Sequence, residues 1–356
     1  MRFDLFYELA LSPQGAATEV AAVSEWLETV ALADQLGYGC AWLVEHHFTR
    51  GYSHSSKPEI LLAAAAQRTQ RLRLGLGVIP APYHHPIHTA ERVAMLDVLS
   101  NGRLEVGLGR GFSPKEYQAF GVDMAQSRVL TQETLDILRL SFDRKPFSYK
   151  GQQVQFENLD ILPHVVQQPH PPLWSAAVSP ESFDWSARQA LGVLAGPFKP
   201  WFMTRADIQR YQNLWAETPQ ILEPPRIGMT LGILCLPDGK RAKQLAKPAF
   251  EWFYHALFQT IRPVLEKMYP SYEHFRELGR FRLLLERGIN AGLLQTFGMA
   301  FAGSPAECIA YLAKYREQGV THLLLAVGAG AVTQEVAHES MHCIAEEVMP
   351  ALQAEN

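Results

Sequence analysis

Several protein classes are excluded by what this chain has little of. Cysteine is scarce: Cys40, Cys235, Cys308 and Cys343 are scattered and form no CxxC pair. Neither a zinc cluster nor a disulfide framework is therefore expected, and free thiols in a reducing cytoplasm are the simplest reading. Net charge is only −4, with acids and bases mixed along the chain. The clustered basic surface that nucleic acid or an acidic membrane would favour is missing, so neither is an expected partner. Met1-Arg2-Phe3-Asp4 runs straight into a strand-like segment without the apolar stretch of a signal peptide. No apolar run is long enough to span a bilayer. Linkers and low-complexity tracts are also lacking, so residues 1–356 read as one domain.

What is present is a rhythm of short apolar runs alternating with amphipathic helical segments. Strands are expected at Phe3–Tyr7, Cys40–Val44, Leu72–Ile79, Leu104–Leu108, Pro172–Ala177, Leu191–Leu194, Arg226–Leu236 and Val320–Val327. Helices fall between them, one closed by Asn101-Gly102 and another opened by Ser304-Pro305-Ala306-Glu307, a capping-box pattern. Alternation of this kind implies a parallel sheet. The count of eight and the chain length favour closure into a single (β/α)₈ TIM barrel over an open doubly wound sheet. Two insertions interrupt the rhythm. Residues 146–162 are Gln-rich with alternating apolar positions and read as a small β-insertion. Residues 240–300 read as a long helical stretch ending in a flexible joint from Gly288 to Gly298, placed to cover the site.

Barrel chemistry sits at the C-terminal ends of the strands. The second strand runs into Glu45-His46-His47-Phe48. Neighbours on a strand point to opposite faces, so one histidine alone should face the mouth, where an imidazole can donate, accept or shuttle a proton. The third strand carries Gly75 and Gly77, which mark either close approach of a ligand or tight packing in the barrel wall. His84, His85 and His88 follow it; the prolines around them and the lack of a nearby Cys or carboxylate favour an ordinary turn over a metal site. The fourth strand ends in Gly107-Leu108-Gly109-Arg110-Gly111, whose glycine spacing is not the dinucleotide fingerprint. Its glycines leave room for a ligand, and Arg110, with Arg128 at the head of a following helix, offers forked donors for a phosphate. After the fifth strand, Ser179 should cap a helix beginning at Pro180, a place where phosphates bind, with Ser182 adding a hydroxyl and Glu181 facing solvent. An apolar mouth with a histidine and an Arg/Ser cradle suits a flat cofactor bearing one phosphate, FMN among them; a sugar phosphate fits the cradle too.

The segments Ala41-Trp42-Leu43-Val44-Glu45-His46-His47-Phe48, His85-Pro86-Ile87-His88-Thr89-Ala90-Glu91 and Leu96 through Gly111 resemble the bacterial luciferase-like flavin monooxygenases. Phe120-Gly121-Val122-Asp123, Gln126-Ser127-Arg128 and Gly303-Ser304-Pro305-Ala306-Glu307 continue the resemblance, which is dense over residues 1–200 and thin from about 200 to 295. It implies a TIM barrel that holds reduced FMN, supplied by a separate flavin reductase, and oxygenates a small organic substrate with O₂ through a flavin C4a-hydroperoxide; Trp201, Trp252, Phe253 and Tyr254 point to an apolar substrate, although core packing explains them equally well. It also implies a homodimer. His46 matches the histidine tied to catalysis. Arg110, Arg128, Ser179 and Ser182 match phosphate positions, and Glu45, Ala177 and Val178 complete the implied cofactor site. Gly77 and Val78 match a non-proline cis peptide beside the flavin ring. There are two departures: Gly109 stands where luciferases carry a reactive cysteine, and Val178 where they carry a glutamate. Light emission is not implied. A deazaflavin (F420) hydride-transfer enzyme, a non-catalytic flavin-binding protein and a sugar-phosphate lyase or isomerase are the rival readings.

Overall fold

Eight parallel strands close into a barrel with helices between them. The structure is a computed structural model that describes residues 1–218, 223–268 and 290–354. The barrel strands are β1 (Arg2–Tyr7), β2 (Cys40–Leu43), β3 (Arg73–Pro80), β4 (Leu104–Gly109), β7 (Leu173–Ala177), β8 (Gly192–Ala195), β9 (Ile227–Cys235) and β11 (His322–Val327). Neighbours pair in that order, and the ring closes where β11 lies between β9 and β1. A short strand, β10 (Ala300–Gly303), lies beside the upper half of β9. In the insertion between β4 and β7, β5 (Phe147–Lys150) and β6 (Gln155–Leu159) form an antiparallel pair outside the barrel.

The outer layer contains α1 (Glu19–Leu36), α2 (Pro58–Ala66), α3 (Pro86–Leu99), α4 (Pro114–Ala119), α5 (Ser127–Ser141), α6 (Pro180–Arg188), α7 (Trp201–Ala216), α8 (Gly239–Met268), α9 (Ala291–Thr296), α10 (Pro305–Glu317) and α11 (Gln334–Cys343). Ser304 and Glu307 make the expected capping box at the start of α10. Residues 291–296 form a helix where the sequence suggests a flexible joint, because Asn290 caps them by accepting from the Leu293 amide at 2.9 Å. Residues 240–268 of the expected cover are helical and belong to α8, and residues 269–289 lie outside the described residues.

The barrel interior is filled rather than hollow, as small eight-stranded barrels are. Trp42 and Trp174 are buried and meet edge to face at 5.5 Å, with Cys40, Leu194 and Leu324 around them and Phe6 and Val78 above. Below them the polar groups satisfy one another. Trp42 Nε1 donates to Asp4 at 3.0 Å, Trp174 Nε1 donates to Glu105 at 2.6 Å, and Arg2 and Arg73 bind the same carboxylates. Gly75 belongs to this plug: a Cβ there would fall inside the Trp42 ring contact. At Gly75, of the two readings of the β3 glycines, packing therefore holds. The second layer of core, between barrel and helices, is the large apolar cluster that includes Phe3, Leu5, Val30, Leu43, Leu138 and Phe183.

Candidate functional site

Inward-facing side chains alternate along a strand, so Phe6 at the mouth of β1 is followed on the same face by Glu8. The end of β2 delivers His46 to the same region. The Glu8 carboxyl is 9% exposed and accepts from Tyr52 Oη at 2.9 Å; its other oxygen, Oε2, has no hydrogen-bond partner and lies 3.7 Å from His46 Nε2. On the other side of the ring, His46 Nδ1 is 4.0 Å from Glu116 Oε1. Phe112 meets the imidazole edge to face at 5.5 Å, and Tyr52 lies 5.8 Å away. Burial, with the neighbouring His47, pushes the imidazole down to about 4, so it is neutral near pH 7. Burial also pushes the Glu8 carboxyl up to about 8, against the opposing hydrogen bond from Tyr52.

His47 turns away from His46 and has different partners. Its Nε2 lies 3.0 Å from Glu45 Oε1, and His84 Nε2 lies 2.6 Å from the same oxygen. Burial alone would raise the Glu45 carboxyl, but the hydrogen bonds of the two histidines, with the charge on His84, hold it down to about 2. Glu116, on α4, accepts from the His47 amide at 2.9 Å and from Tyr83 Oη at 3.0 Å. The three histidines of the β3–α3 segment thus divide: His84 binds Glu45, His85 caps α3 by accepting from the Ile87 amide, and His88 is exposed beside Glu91. Among the described residues, no group of three or more His, Cys, Asp or Glu is placed to hold a metal ion.

The wall above Trp42 is made by β3 and β4. The Gly77–Val78 peptide is cis. The room that Gly109 was expected to leave for a ligand is taken by Val78, whose Cγ2 would lie 2.5 Å from a Cβ at position 109. A cysteine at this position would collide with that side chain, so the departure from the luciferase pattern matches the packing.

The expected cradle residues lie at adjacent strand ends. Leu108 of β4 pairs opposite Ser175 of β7, so Arg110 and the Ser179 turn leave the barrel side by side. Tyr117 Oη donates to the Arg110 carbonyl and also bonds Ser127, the first residue of α5, which brings Arg110 towards the exposed Arg128. At α6, Ser179 and Ser182 form a capping box. Ser182 Oγ accepts from the Val178 and Ser179 amides, each at 3.0 Å, and Glu181 is exposed. These two amides are therefore held within the cap, where Ser182 Oγ also donates to the Ser179 carbonyl at 2.6 Å and Ser179 Oγ donates to Glu181 at 3.2 Å. Ala177 is buried wall. The sequence reading missed Lys199, which is buried, ion-paired with Asp207, and donates to the Val178 carbonyl at 2.7 Å.

The chain matches the model of the luciferase-like monooxygenase family over residues 1–322. It is 30% identical over 258 residues to the oxygenase component of a flavin-dependent trigonelline monooxygenase of Acinetobacter baylyi, covering 72% of this chain and 70% of that one. Among solved structures it is similar to the monooxygenase RslO1 of Streptomyces bottropensis, with 27% identity, a TM-score of 0.82 and coverage of 98% and 99% of the two chains. The same fold is found in the FMN-complexed oxygenating constituent of 3,6-diketocamphane monooxygenase from Pseudomonas putida, at TM-score 0.73, 18% identity and coverage of 99% and 98%. It is also found in an F420-dependent tetrahydromethanopterin reductase of Methanopyrus kandleri, at TM-score 0.70, 17% identity and coverage of 99% of each chain.

Proposed function

This chain belongs to the luciferase-like monooxygenase family, and from that membership we propose that it is the oxygenase of an FMN-dependent monooxygenase acting on a small, apolar organic molecule. The observation that carries this reading is a largely enclosed, neutral imidazole, His46, its side chain 15% exposed, on the same rim of strand ends as Arg110 and the Ser179 cap. When bound, FMN supplies the redox chemistry with O₂, and a separate flavin reductase delivers it reduced. The oxygenase-component name of the Acinetobacter relative supports the separate reductase.

The chain's own residues do the rest. Arg110 and Arg128, with the Ser179 and Ser182 hydroxyls at the head of α6, would hold the single phosphate. Glu45, Gly77, Val78, Ala177 and Val178 line or support the wall against which the ring system would rest. Phe112, edge to face with His46 at 5.5 Å, and Phe253, 5.8 Å from Tyr52, would help to exclude water from the mouth, which favours oxygen transfer over unproductive oxidation. His46, neutral at pH 7, can accept a proton or hydrogen bond at one nitrogen and donate at the other.

Oxygen consumption with reduced FMN, across a panel of aldehydes, ketones and alkanes, tests this activity. A member of the panel is expected to raise coupled oxygen use, and His46→Ala to cut turnover by about 10²-fold or more, the scale of acid–base catalysis. Unchanged turnover in His46→Ala would remove its catalytic role. The F420 reading is favoured by fold neighbours under 20% identical, two of them F420-dependent enzymes; tighter binding of F420 than of FMN would select it.

A further inference from the structure

We propose that Glu8 is the proton-sharing partner of His46, a positioning residue that sets which atom of the barrel mouth carries the acidic proton. The inference rests on the reading of His46 as the acid–base group and extends it. Three observations carry it. Glu8 Oε2 is buried, lacks a partner and lies 3.7 Å from His46 Nε2, while its sister oxygen is pinned by Tyr52. A buried carboxyl oxygen without a partner is costly and is not kept for stability. The backbone on both sides of the pair is held in the left-handed region at non-glycine residues, Leu9 at φ 55° and Phe48 at φ 62°. Such conformations persist where surrounding contacts impose them. Here the Leu9 carbonyl accepts from the His54 amide at 3.1 Å, and the Glu8 carbonyl from Ser53 Oγ at 2.7 Å. Finally, Glu8 borders a narrow cavity that passes between the ends of β1 and β11 to the half-exposed Glu25 and Gln334 on α1 and α11.

The titratable groups around the pair are few. Tyr52 faces Glu8, with Tyr254 of α8 behind it; Glu116 of α4 faces His46 Nδ1; Glu45 and His47 flank His46 in sequence. Tyr52 stays protonated and donates. Over the neutral range the Glu8–His46 pair then holds one proton, which can sit on Glu8 Oε2 or cross to His46 Nε2. The crossing leaves the charge of the pair unchanged: one O–H bond breaks, one N–H bond forms, and the bonding pair stays on the carboxylate. Because the two sites interact, the loss of this proton is a property of the pair.

Nitrogen-15 NMR of the histidine side chains in the ligand-free protein reads this directly. In the wild type, where the shared proton rests mainly on Glu8, His46 Nε2 is expected to show a step near pH 8 as that proton leaves, smaller than the full imidazolium-to-imidazole change. The step should vanish in Glu8→Gln and return in Glu8→Asp. In Tyr52→Phe, where the hydrogen bond that favours the carboxylate is lost, it should move to higher pH. A His46 profile that is the same in wild type and Glu8→Gln overturns the proposal. Should Glu8→Gln not fold, a His46 step unmoved by Tyr52→Phe overturns it equally. FMN binding, followed separately by fluorescence quenching of the wild type, is independent of this titration. Absence of FMN binding would defeat the flavin reading and leave the proton-sharing result standing.

Discussion

The residue that most shapes this site is His46, and its chemistry is set by neighbours far away in sequence. Glu8 follows β1, Glu116 lies on α4 and Phe112 is in the segment after β4. The sequence showed that only one of His46 and His47 could face the mouth, because of the strand period. It gave no sign of Glu8, Glu116 or Lys199, since single acids and lysines in unexceptional surroundings become legible only when the strand ends converge. Two residue-scale consequences follow. Arg110→Ala should weaken FMN binding by about 1.5–3 kcal/mol, the range for a hydrogen bond to a charged group, as read by fluorescence quenching; an unaltered Kd removes Arg110 from the cradle. Glu45 is held ionised down to about pH 2 in the folded state. A depressed carboxylate stabilises the fold above its unfolded pKa, and that stability is lost as pH falls through the folded value. Glu45→Gln should therefore lower stability at pH 7 by about 1–3 kcal/mol, and the gap to wild type should close between pH 4.5 and 2. A gap independent of pH in urea unfolding would contradict this.

At the scale of elements, the eight barrel strands were readable because each is a short apolar run set off by turn signals. The misses have physical reasons. The strand β10 is Ala-Phe-Ala-Gly, four residues with little β-branched or aromatic content, and it owes its conformation to pairing with β9. The helix α4 begins Ser113-Pro114-Lys115-Glu116, the same pattern that identified α10, and the signal was there to be used. The Glu116 side chain, however, does not complete a capping box and turns instead to His47 and Tyr83. The β3 glycines were readable as either ligand approach or packing, and the choice needed the position of Trp42. Gly75→Ala should force Trp42 out of its place and cost about 1–3 kcal/mol by overpacking, measured by urea unfolding. A neutral effect would mean that the interior tryptophan layer is looser than described.

At the scale of the whole molecule, the barrel separates two tasks. The bottom is a plug of paired charges and tryptophans that closes the interior, and the top gathers the titratable groups. The ring order of the strands puts β4 and β7 side by side, so residues more than 60 apart in sequence, Arg110 and Ser179, leave the barrel together. Family membership was legible from short motifs, two of which, Glu45-His46-His47 and Gly107 through Gly111, are strand ends that form the rim of the barrel. The substrate was not, because the sequence resemblance thins between about 200 and 295. Among the described residues no helix is long and apolar enough to cross a membrane. In the proposed function this open end takes a flavin by its one phosphate. Titration of the purified protein with FMN and with F420, followed by fluorescence and absorbance, tests it most directly. Saturable binding of FMN, weakened by Arg110→Ala and tighter than that of F420, is the predicted result; no binding of FMN in either its oxidised or its reduced form would contradict the account.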